Sequence, residues 1–96
     1  MKQEIVDKVI ERVSGGNDNM RQVARSVYEV VSSDISRWPD SQVCQRKLLT
    51  KVVEGVGVLV GQRIRSNDVL EEGYWHSEKG REVNRSLSNF IEVRGK

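Results

Sequence analysis

The segment RKLLTKVVEGVGVLVGQRI, residues 46–64, carries the strongest folding constraint in the chain. Advancing by about 100° per residue, Leu48, Leu49, Val52, Val53, Val56, Leu59, Val60 and Ile64 fall within one arc of roughly 160°. Lys47, Thr50, Lys51, Glu54 and Arg65 take the opposite side, with Val58 and Arg63 as the exceptions. The stripe predicts a continuous helix over 41–65 that outweighs the strand preference of the individual valines. A strand would need alternation, which VGVLVGQRI supplies only in part; it would turn 58–75 into a hairpin wing returning through GYWHS. A phosphate-cradling glycine loop fits worst. The glycines are spaced G-x-G-x-x-x-G, they follow helical periodicity instead of a strand, and the chain is too short for the surrounding parallel sheet.

Three further helices are predicted. Ile5, Val6, Val9, Ile10 and Val13 recur at helical spacing over 3–14, and SGGNDN then stops that helix, with Asn17 or Asp18 placed to cap the next. Met20, Val23, Ala24, Val27, Val31 and Ile35 carry the second helix over 18–37 until Trp38-Pro39 ends it, and Asp40 or Ser41 can cap the third. SNDVLEEG (66–73) reads as a loop with one helical turn. Val83, Leu87, Phe90 and Ile91 mark a fourth helix over 77–92, followed by a frayed RGK end. The expected fold is all-α, a compact four-helix antiparallel bundle around a long third helix, with a winged-helix α+β domain as the alternative. Its 96 residues make one domain, 1–96, able to bury roughly 60 to 65% of the unfolded chain's surface without metal or disulfide.

Each glycine inside a helix costs about 1 kcal/mol relative to alanine, so the glycines of the third helix need a reason. Gly57 and Gly61, four apart at the edge of the apolar stripe, would let another helix approach closely, either within the chain or from a second copy. Trp38, Tyr74 and Trp75 are candidate interface anchors alongside them. Tyr74 and Trp75 are adjacent beside a loop and are not expected both to turn inward.

Net charge is only +2, but residues 41–67 hold five Lys/Arg against one Asp/Glu. Arg46, Lys47, Lys51, Arg63 and Arg65 are therefore the candidate phosphate-neutralising residues, set against the alternative of a merely solvated helix face.

Little points to chemistry. His76 and Cys44 are the only residues of their types and lie far apart in sequence, and Asp68, Glu71 and Glu72 read as a solvated acidic turn. No catalytic residue, metal site, cofactor or small-molecule substrate is expected. A charged, periodic N-terminus and apolar runs far below the ~18 residues of a membrane span predict a cytoplasmic chain without membrane contact.

VARSVYEVVSSDISRW (23–38) resembles helix-turn-helix DNA-binding segments, with Ala24, Tyr28, Val30, Ile35 and Trp38 as the apolar framework. It departs from them at Arg25, at Glu29 in place of the turn glycine and at Pro39. HSEKGREV (76–83) is similar to the junction that follows the wing in MarR-type winged-helix repressors. Two functions are thus expected of this sequence. The first is a non-enzymatic regulatory or adaptor protein that associates with a protein partner or with itself; the alternative is a DNA-binding transcriptional regulator using the basic central segment.

Overall fold

In the computed structural model, which describes residues 2–94, four long helices carry the chain: α1 (Gln3–Ser14), α2 (Asp18–Ile35), α3 (Gln42–Val60) and α5 (Glu78–Arg94). The single turn α4 (Ser66–Val69) and a 3-10 turn (Tyr74–His76) bridge α3 to α5. No strand occurs among the described residues, so the fold is all-α and the winged-helix alternative falls. Its supposed wing, 58–75, is the last turn of α3, a short connector and α4, and GYWHS, the expected returning strand, forms the 3-10 turn Tyr74–His76. The expected frayed end is helical through Arg94, and Gly95 and Lys96 lie outside the described residues.

The helix ends follow local chemistry. Gly15 takes a left-handed backbone (φ 53°) and donates its N–H to Glu11 O, which closes α1. Asn17, not Asp18, caps α2 by accepting the Met20 N–H at 2.8 Å, and Ser41, not Asp40, caps α3 by accepting from Cys44 N–H at 3.2 Å. Ser77 caps α5 by accepting from the Gly80 N–H at 3.1 Å.

α3 packs against α1, α2, α4 and α5. Leu48, Val52, Val53 and Val56 of α3 meet Val6, Ile10 and Val13 of α1, Met20, Ala24, Val27 and Ile35 of α2, and Val83 and Leu87 of α5 in one buried cluster. α1 and α2 are also joined across their outer edge, where Arg21 clasps Glu11 at 2.6 and 3.0 Å and contacts Asp18, while Arg25 meets Asp7 at 3.1 Å.

Three expectations need correcting. The helix-turn-helix-like segment holds no turn: α2 runs unbroken through Glu29, since that position lacks a glycine and the apolar period continues from Val27 through the half-buried Val31 to Ile35. The third helix stops at Val60, five residues short of Arg65. Gly61 enters the left-handed region (φ 69°), and its N–H and that of Gln62 both reach Gly57 O, a Schellman-type end. Ile64 is still buried, but the connector carries it inward.

The third correction concerns the glycine edge as a point of helix approach within the chain. A Cβ at Gly57 would lie 2.6 Å from Gln62 O, the chain's own returning turn, and one at Gly61 would meet nothing within 4 Å. Helix approach occurs at Gly55 instead, where a Cβ would stand 2.5 Å from Val27 Cγ1.

Candidate anion-binding face

None of the expected aromatic anchors is fully exposed. Tyr74 is buried and Trp75 half-buried, their rings in edge-to-face contact at 5.0 Å, and the Trp75 indole lies against Gly15. Both turn inward because Gly80 lets α5 close directly onto the backbone of the 3-10 turn: a Cβ there would fall 1.9 Å from Tyr74 O. Burial pushes the Tyr74 hydroxyl pKa up, and the nearby Asp68 adds to the effect. Trp38 is half-buried against the core. Lys51 Nζ lies over its ring, 5.9 Å from the centroid.

The five basic candidates are all exposed, and the structure gathers them around one residue. Thr50, on the outer side of α3, lines three adjoining grooves. The first, about 510 Å³, is bordered by Trp38, Val43, Arg46, Lys47, Lys51 and Glu54. The second, about 680 Å³, lies between the end of α3 and the connector and includes Glu54, Val58, Arg63 and Arg65. The third, about 630 Å³, runs toward α1 and brings in Lys8 and Arg12 beside Arg46, Gln42, Gln45, Ser66 and Asn67.

Lys8 and Arg12 carry no sequence signal of a shared site, being ordinary polar-face residues of an amphipathic helix. Only the packing of α1 against α3 brings them to the basic segment. The assembled face presents seven Lys/Arg and, among its acidic residues, only Glu54. Among the described residues none of the seven joins an ion pair, whereas Arg21 and Arg25 of α2 are both paired with carboxylates. Phosphate-bearing ligands are held by this combination of unpaired guanidinium and ammonium groups with Thr, Ser, Asn and Gln side chains.

Cys44 is half-buried in the first turn of α3, and His76 is exposed at the end of the 3-10 turn. Among the described residues no cluster of three or more His, Cys, Asp or Glu could hold a metal, and no helix is long and apolar enough to cross a membrane. Compared with protein-family models, curated proteins and solved structures, the chain matches none.

Proposed function

We propose that this chain is a non-enzymatic nucleic-acid-binding protein of the cytoplasm that grips the phosphate backbone with the face centred on Thr50. The observation that carries the reading is the convergence of Lys8, Arg12, Arg46, Lys47, Lys51, Arg63 and Arg65, without ion-pair partners among the described residues, on three grooves that share Thr50. Net charge of +2 supplies almost no long-range attraction, so binding is local to this face. The test is a titration of the full chain with nucleic acid at low and moderate salt. Engagement of five to seven phosphates gives log K falling with log salt at a slope of roughly −3.5 to −5 for a single strand. Binding that ignores salt, or no binding at low salt, would refute the reading.

A second reading, association with a protein partner or a second copy, draws on one observation. Val58 and Leu59 at the end of α3 are 82% and 44% exposed, side by side. Light scattering on Val58→Asp separates the two readings: a self-associating chain dissociates, and a chain already monomeric keeps its mass.

A further inference from the structure

We infer that Trp38 is a stacking platform for an unpaired base, and hence that the ligand of this face is single-stranded nucleic acid. The inference rests on the phosphate-binding reading above and specifies its substrate.

The position of Trp38 is fixed by the chain. Its N–H donates to Ile35 O at 3.0 Å, Pro39 follows, and the inner side of the indole packs on the core. Trp38 lines the 510 Å³ groove together with Lys51, whose Nζ lies over the indole, so the ring borders a space within the usual size range of small-ligand sites and ample for one base. Val43, 63% exposed, extends the apolar floor beside it. Arg46, Lys47 and Lys51 border the same groove, so a base lying on the indole has cations on hand for its own and the neighbouring phosphates. Lys51 covers the ring at 5.9 Å. Its ammonium rides on a flexible four-carbon stem and can swing aside to a phosphate when a base arrives. A duplex cannot use such a floor, because its base faces are already stacked on one another; a single strand offers them.

The experiment uses the full chain with a short oligothymidylate and with a mixed-sequence duplex of equal length, read by anisotropy and tryptophan fluorescence. The single strand should bind more tightly and quench Trp38 emission. Trp38→Leu, which keeps the inward packing but removes the π-face, should weaken the single strand by about 5- to 150-fold, with little change for the duplex. Trp38→Phe should retain most of the affinity. If Trp38→Leu unfolds, as circular dichroism would reveal, the native quench and the Trp38→Phe affinity carry the test. Duplex binding equal to or tighter than single-strand binding, an unquenched native protein, or equal losses on both ligands would overturn the stacking role while leaving salt-sensitive phosphate binding intact. Absence of salt-sensitive binding to either ligand would remove the phosphate-binding reading and this inference together.

Discussion

Gly55 of α3 lies so close to Val27 of α2 that a Cβ at position 55 would stand 2.5 Å from Val27 Cγ1. The glycine is therefore a packing requirement of the α2–α3 contact. Gly80 is more tightly constrained, because the atom in the way is the backbone oxygen of Tyr74 at 1.9 Å, which cannot rotate aside. Gly80→Ala should lower stability despite the gain of about 1 kcal/mol in helix propensity. Gly55→Leu should cost about 1 to 3 kcal/mol through overpacking. Thermal melts check both, at about 4 to 8 °C per kcal/mol for a domain of this size. Unchanged melting of Gly80→Ala would contradict the close approach of α5 to the 3-10 turn.

Asn84 Oδ1 accepts from Asn17 Nδ2 at 2.9 Å and from Asn19 Nδ2 at 3.1 Å, pinning the start of α2 to α5. Asn17 also caps α2, so Asn17→Ala removes two interactions and should cost about 1 to 2 kcal/mol. Asn17→Asp keeps the cap but sets a carboxylate against Asn84 Oδ1. It should fall between wild type and Asn17→Ala in denaturant midpoint, and a double-mutant cycle with Asn84→Ala should show coupling.

Tyr74 Oη and Trp75 Nε1 are buried without a hydrogen-bond partner. An unpaired buried hydroxyl is a cost the fold carries, so Tyr74→Phe should leave stability equal or raise it by up to about 1 kcal/mol. A drop of similar size in urea unfolding would mean that the hydroxyl is satisfied in solution.

The helical class was legible because burial of one stripe per helix imposes a period that Val6, Val9, Ile10 and Val13, or Leu48, Val52, Val53 and Val56, display plainly. The stop at Gly61 was not, since Ile64 and Arg65 continue the helical pattern while the connector, not a helix, carries Ile64 inward. Which glycine permits close approach was equally hidden: Gly55, Gly57 and Gly61 look alike in one dimension, and only the placement of Val27 and of the returning Gln62 assigns their roles. Of the basic face, its α3 part and Arg63 and Arg65 could be read from charge distribution. Lys8 and Arg12 could not, because their proximity to Arg46 is a product of tertiary packing.

The α1–α2 ion pairs make stability depend on acid. Arg21 holds the Glu11 carboxyl below its ordinary value of 4.5, chiefly by hydrogen bonding. Gln3 and then Arg25 hold Asp7 below 3.8 in the same way. A carboxyl whose pKa is depressed in the folded state contributes stability that is complete above the unfolded value and is lost as pH falls through the folded one. Melting temperature should therefore begin to fall below about pH 4.5 and continue downward. Both carboxylates are open to solvent, so the effect is modest and fades in high salt. Arg21→Gln should flatten the Glu11 share of this acid limb, and an unchanged limb would mean that the clasp contributes nothing.

On the proposed phosphate-binding reading, Glu54 sets the direction in which a polyanion should leave Thr50. It lines both the Trp38 groove and the connector groove, so a strand passing along α3 from Lys51 toward Arg63 and Arg65 must cross a carboxylate. The groove toward α1 shares Arg46 and Thr50 with the Trp38 groove and contains no acid. A phosphate chain should therefore run from Trp38 over Arg46 to Lys8 and Arg12. Each lost phosphate contact lowers the single-strand salt slope by about 0.7, so Lys8→Gln with Arg12→Gln should reduce it by about 1.4. Arg63→Gln with Arg65→Gln should leave the slope nearly unchanged, and Glu54→Gln should tighten binding and make those two arginines count. The opposite ranking of the two double variants would place the strand across Glu54 instead, and no effect from either would confine the ligand to the cations of α3 itself.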